Sequence, residues 1–171
     1  MVKHEGSNIQ VTRVSPAGDV GGLGGMGGFG GNMGVQFWNP ANGMPCQEPP
    51  WGHLVAVNAN TGEIAWNVPL GTFDELEAKG IHKTGAPNLG GSIATAGGVV
   101  FIDATNDSRF HAFDSRTGQE LWVTRLDASA HAVAMTFQGR DGKQYVVIMA
   151  TGGGIIGDTT SAASLIAFAL P

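Results

Sequence analysis

Short apolar runs separated by turn residues, rather than helical stripes, organise this chain. Leu54-Val55-Ala56-Val57 and Glu63-Ile64-Ala65-Trp66-Asn67-Val68 lie on either side of Asn60-Thr61-Gly62. Residues 92–96 and 99–103 flank Gly97-Gly98, residues 110–113 and 120–124 flank Arg116-Thr117-Gly118, and residues 132–137 and 144–149 flank Asp141-Gly142. A β-branched or aromatic run, a glycine-containing turn and a second run predict an antiparallel hairpin, and Asp-Gly is the strongest of these short turn signals. Residues 164–170 predict a last strand, and Ile9-Gln10-Val11-Thr12 a short one near the N-terminus. Residues 71–89 read as a longer polar loop with one helical turn at 73–79. Apolar residues rarely recur at the 3.6-residue spacing, so the pattern predicts an all-β fold.

The hairpins repeat. Ala56-Val57-Asn58-Ala59-Asn60-Thr61-Gly62-Glu63-Ile64-Ala65-Trp66 aligns with Ala112-Phe113-Asp114-Ser115-Arg116-Thr117-Gly118-Gln119-Glu120-Leu121-Trp122, 56 residues further on. The shared skeleton is A-x-[ND]-x-x-T-G-x-x-x-W. Ile166-Ala167-Phe168-Ala169-Leu170 begins a third copy. A strand, a turn ending in Thr-Gly and a strand closing on Trp describe the outer half of a four-stranded blade, with Gly62 and Gly118 supplying positive φ at the turn. Radial repetition of small sheets makes a propeller. The first 42 residues stand apart: residues 21–34 contain nine glycines in fourteen positions, and no element beyond the short strand is placed there. Residues 43–171 hold the blades.

Composition narrows the functions. The 171 residues are 42% hydrophobic and 13% charged, with 28 glycines and 8 prolines, which is globular and turn-rich. A formal charge of −5 with nine scattered basic residues argues against nucleic acid. Cys46 is the only cysteine, which excludes an intrachain disulfide and a cysteine-based metal site. No apolar run reaches the length of a membrane span, and Met1 to Gln10 carries no signal-like apolar stretch.

The double motif resembles the tryptophan-docking motif of the eight-bladed quinoprotein dehydrogenases. Gly43-Met44-Pro45-Cys46-Gln47-Glu48-Pro49-Pro50-Trp51-Gly52, Thr84-Gly85-Ala86-Pro87-Asn88-Leu89-Gly90-Gly91-Ser92, Val100-Phe101-Ile102-Asp103-Ala104-Thr105-Asn106-Asp107 and Ile166-Ala167-Phe168-Ala169-Leu170-Pro171 are similar to the last stretch of the membrane-type glucose dehydrogenases. Asp141-Gly142-Lys143-Gln144-Tyr145-Val146-Val147-Ile148 is similar to the final hairpin of the whole group. The resemblance implies about two and a half four-stranded blades of a propeller that binds pyrroloquinoline quinone (PQQ) and Ca²⁺ and oxidises glucose or a related sugar or alcohol, passing electrons to a quinone or cytochrome. It implies a periplasmic location. It also places the catalytic Asp and the calcium ligands upstream, so no catalytic or metal-binding residue is assigned to this chain, which is expected to be inactive alone.

With strands A to D running outward from the axis, B–C loops (105–109 and 151–164) and D–A loops (69–91 and 127–132) share the cofactor face. There the resemblance puts Asn106, Asp107, Gly153 and Gly154 beside the cofactor. Glucose dehydrogenases carry His at about Gly154, and alcohol-oxidising relatives carry Trp. His131, in a D–A loop, is the substrate-side candidate.

Each of these has a plainer reading. Asn-Asp is ordinary turn chemistry, His131 reads more readily as a surface residue, and Trp66 and Trp122 read as packing residues rather than a stacking platform. His4, His53, His82 and His111 have no spacing that suits a metal. Asp74, Glu75 and Glu77 read as a solvated loop face. Gly22–Gly27 and Gly152–Gly157 both satisfy G-x-G-x-x-G, but neither is followed by the helix and distant acid of a dinucleotide site, and no G-x-S-x-G elbow exists. Two alternatives to the oxidoreductase reading are a self-associating structural sector, recruiting a second copy through its open sheet edges or the N-terminal segment onto its last blade, and a ligand-binding module without redox chemistry.

Overall fold

The structure, a computed structural model, describes residues 9–14, 45, 47–153 and 160–169. The strands are β1 (Ile9–Val14), β2 (His53–Asn58), β3 (Ile64–Pro69), β4 (Ser92–Ala94), β5 (Val99–Ile102), β6 (Arg109–Asp114), β7 (Glu120–Arg125), β8 (Met135–Gln138), β9 (Gln144–Gly152) and β10 (Ser161–Ala169), with one short helix, α1 (Asp74–Glu77), between β3 and β4. They form three antiparallel sheets ordered β1-β2-β3, β4-β5-β6-β7 and β10-β9-β8. Three, four and three strands amount to two and a half four-stranded units, so the all-β, partial-propeller expectation is met. The two copies of the repeat are β2–β3 and β6–β7, and each ends on an edge strand, the outer half of its sheet.

The turns close as their residues dictate. Gly62 has φ +77° and Gly118 has φ +72°, the left-handed region that costs a Cβ-bearing residue about 1–2 kcal/mol. The Asp114 carboxylate takes the backbone N–H groups of Arg116 and Thr117, each at 2.9 Å, so the second turn is an Asx-type turn. Those two bonds hold its carboxyl below the usual carboxylate range.

The sheets stack face to face over two cores. Leu54, Ala56, Trp66 and Leu70 of the first unit meet Val100, Ile102, Ala104 and Phe113 of the second. Phe110 and Leu126 of the second meet Ala134, Val146, Ile148, Ala150, Ile166 and Phe168 of the third. Alternation along each strand produces this, because successive side chains point to opposite faces. Trp66, only 8% exposed, reaches across from β3 to the turn of the next sheet. Its indole N–H donates to the Ser115 carbonyl at 3.0 Å, and its ring lies on Gly118, where an added Cβ would stand 2.6 Å from Cε3. Trp122 occupies the equivalent place on β7 but is 39% exposed; it meets Phe110 and Phe168 edge-on at centroid distances of 6.1 and 5.2 Å.

Strand ends differ most from the sequence pattern at β4, β8, β9, which runs on to Gly152, and β10. β4 stops at Ala94 because Thr95 closes the turn, its N–H and its Oγ both bonding the Val99 carbonyl. β8 starts at Met135 rather than at 132, and Ala134 before it is buried in the second core. β10 starts at Ser161, where it pairs with Gly152 across a register shift between Ser161 and Ser164. The N-terminal strand is placed too: β1 pairs with β2, Val11 opposite Ala56. The described part of the N-terminal segment therefore completes the first sheet rather than extending the last one. Residues 21–34 and Gly22–Gly27 lie outside the described residues. No helix among the described residues is long and apolar enough to cross a membrane.

Candidate functional site

The loops that the blade order assigns to one face do meet at one rim. The loop after β3 doubles back under close backbone approach. Leu70 N–H donates to the Gly52 carbonyl and Ala86 N–H to that of Leu70, and a Cβ on Gly52 would fall 2.1 Å from the Ala86 oxygen. Residues 84–88 are consequently buried. From there the loop reaches the β5–β6 connection, with Leu89 N–H donating to the Ala104 carbonyl at 2.6 Å and Asn88 bridging Thr105.

Asp107 fastens these two loops together. Its carboxylate accepts the Thr105 hydroxyl at 2.6 Å, the Thr72 backbone N–H at 2.9 Å and the Arg109 backbone N–H at 3.2 Å. The Arg109 guanidinium stands 3.6 Å away, and the Asp107 side chain is only 3% exposed. Asn106, beside it, is half-buried and engaged. One turn of chain away, Asp74 at the start of α1 receives both Arg109, at 2.6 Å, and Arg125. These two donors hold the Asp74 carboxyl below its ordinary value. Glu77 is lowered in the same direction by His82, at 2.5 Å, and by the Thr72 hydroxyl. The acidic stretch is solvated as read, with Asp74 and Glu75 exposed, and Asp74 and Glu77 in addition carry partners.

The β7–β8 loop is the hub. Leu126 N–H donates to the Ser108 carbonyl at 2.8 Å, and Ser108 N–H reaches the Ser129 hydroxyl at 3.2 Å. The Ser129 carbonyl takes Gly152 N–H at 2.8 Å. His131 is half-buried, not a free surface residue. Its Nδ1 faces the Leu89 carbonyl at 3.1 Å and its Nε2 the Gly153 carbonyl at 3.0 Å. Gly152 and Gly153 have φ +63° and +71°. A Cβ on Gly152 would collide with the Thr160 oxygen at 1.9 Å, whereas one on Gly153 would meet nothing within 4 Å. Gly154 lies outside the described residues. Ser129 and the anchoring Asp74–Arg109–Arg125 group went unnoticed in the sequence, where nothing marks pairs so far apart.

Among the described rim residues, Asp107 pairs with Arg109, and Asp74 with Arg109 and Arg125. Among the described residues no three His, Cys, Asp or Glu side chains gather to hold a metal ion. These residues alone do not fit a closed PQQ or calcium site.

A stack of small antiparallel sheets with its interstrand loops on one rim defines a β-propeller sector. The chain matches the family model described as PQQ: glucose/ethanol/alcohol dehydrogenase, beta-propeller domain, over residues 10–146, and it belongs to that family. It is 44% identical over 133 residues to quinoprotein glucose dehydrogenase A of Acinetobacter calcoaceticus, which covers 75% of this chain and 16% of the relative. It is 46% identical over 118 residues to the probable quinate dehydrogenase (quinone) of Xanthomonas campestris pv. juglandis, covering 66% of this chain and 15% of the relative. Among solved structures, the quinohemoprotein alcohol dehydrogenase from Comamonas testosteroni superposes with TM-score 0.56 at 26% identity, covering 76% of this chain and 18% of that one. The chain therefore spans about a sixth of the length of such relatives.

Proposed function

We propose that this chain forms the closing blades of a PQQ-dependent dehydrogenase that oxidises glucose or a related sugar or alcohol, and that it does not catalyse on its own. The observation that carries this reading is the convergence of two B–C and two D–A loops on Ser129 and His131, which makes one continuous wall from otherwise separate sheets. Asn106, Gly153 and Gly154 would border the cofactor, and Asp107 would hold Asn106 in place through the bonds it makes to Thr72 and Thr105. In this reading the base that takes the substrate proton and the calcium ligands belong to blades outside this chain, and the location is periplasmic. Substrate size would be read at Gly153–Gly154, where the backbone carries no side chain. The seat of Trp66 on Gly118 supports the tryptophan-docking interpretation, since it joins neighbouring blades through both the indole N–H and the ring face.

The test is a chimera in which residues 43–171 replace the matching segment of the Acinetobacter glucose dehydrogenase. Dye-linked oxidation of glucose, quinate or ethanol with PQQ and Ca²⁺ is the expected result. A chimera that folds, by circular dichroism and cooperative melting, yet oxidises none of the three would overturn the reading.

One observation favours a second reading, self-association of the isolated chain. The third sheet turns Met135, Phe137, Met149 and Leu165 outward, with Leu165 70% exposed. Contiguous apolar faces of this kind mark interaction sites. In the isolated chain a sheet of a second copy would cover it.

A further inference from the structure

At the end of β9, Gly152 and Gly153 have no side chains, and the space beside the Gly153 α-carbon is open to 4 Å. Gly153 is therefore held by hydrogen bonds. Gly152 N–H is tied to Ser129 O and Gly153 N–H to Thr160 O; the Gly153 carbonyl is met by His131 Nε2 at 3.0 Å. The same ring presents Nδ1 to the Leu89 carbonyl, 42 residues away in sequence, at 3.1 Å. Both neighbours are carbonyl oxygens, which only accept. A neutral imidazole carries one N–H, so each tautomer secures one of the two, and the doubly protonated ring secures both.

We propose that His131 is a positioning residue, a cross-brace that fixes the Gly153 end of the cofactor-side segment against the Leu89 loop, rather than a group that touches substrate. This rests on the rim being a pocket wall only for its consequence; the brace itself stands on the two carbonyl contacts. Titratable side chains on the flanking loops include Asp107, Arg109 and Asp127. Asp127 takes the Ser164 hydroxyl at 2.8 Å, and Asp107 and Arg109 are paired with each other.

The experiment uses the whole chain labelled with ¹⁵N-histidine, with amide hydrogen exchange followed in the wild type, His131→Leu and His131→Gln. The His131 ring is expected to show a slowly exchanging, hydrogen-bonded N–H, in contrast to free histidine in the same buffer. His131→Leu is expected to speed exchange at Gly152 and Gly153 and across Leu89–Gly91 by about tenfold. His131→Gln, which keeps a donor, is expected to recover most of that protection. Should the leucine variant fail to fold, the wild-type ring spectrum and the glutamine variant decide the matter. A ring N–H exchanging as fast as that of free histidine, or a folded leucine variant with unchanged exchange, would overturn the proposal. Neither outcome depends on whether the chimera oxidises glucose.

Discussion

At the scale of single residues, the clearest physical demand is the one Trp66 makes on Gly118. Glycine is required there twice, by φ +72° and by an indole ring 2.6 Å from where a Cβ would stand; Gly62 shares the φ, at +77°, but has nothing within 4 Å. Gly62→Ala is therefore expected to cost about 1–2 kcal/mol from the backbone alone. Gly118→Ala is expected to cost clearly more, about 3 kcal/mol, since the ring must move as well. Urea unfolding of the two variants checks this, and equal losses would contradict it. Both glycines and both tryptophans were legible in the sequence, because the repeat aligned them. Ser129 and the two-carbonyl setting of His131 were not. Their partners lie on other loops, and neither turn chemistry nor periodicity records contacts 20 to 40 residues apart. Asp107 was legible as a rim residue, but its near-complete engagement by Thr72, Thr105 and Arg109 was not.

At the scale of elements, strand positions followed from apolar runs and turn glycines, and errors fell at strand ends. β8 begins only at Met135, and β4 lost Thr95 to its own turn, a case of hydrogen bonding overriding propensity. The single helical turn was expected and is present as α1, although at four residues it cannot stand by itself. Asp74, at its start, holds it to the second sheet through Arg109 and Arg125. Because the folded carboxyl of Asp74 is lowered from 3.8, its contribution is present above that unfolded value and is lost as pH falls through the lower folded one. Half of this side chain is exposed, so the expected contribution is only about 0.2–1 kcal/mol for each pair. Amide exchange at Ala78, whose N–H donates to Asp74 O, should therefore lose protection as pH falls below about 4. Asp74→Asn should show the weakened state already at pH 6. Equal protection of the two proteins at pH 6 would argue that the arginines contribute nothing.

At the scale of the whole molecule, the repeat and the alternation together led to a partial propeller, and the three stacked sheets agree. What alternation could not tell is which faces remain open, since every strand of a blade reads as two-faced. The third sheet leaves Met135, Phe137, Met149 and Leu165 outward. If a second copy covers this face, Leu165→Asp with Met149→Lys should shift the chain toward monomer in light scattering while leaving its melting little changed. An unchanged mass would assign any association to another surface. Among the described rim residues, Asp74, Asp107, Arg109 and Arg125 are paired with one another, so in the proposed reading this sector offers shape and hydrogen-bonding backbone while the proton-accepting base comes from other blades.

That division of labour is tested most directly by dye-linked glucose oxidation with the purified 171-residue chain, PQQ and Ca²⁺. The rate is predicted to equal that of a control without PQQ. Turnover above that control, abolished by removing calcium, would mean that this chain assembles a working pocket by itself and would contradict the claim that it is only one wall of it.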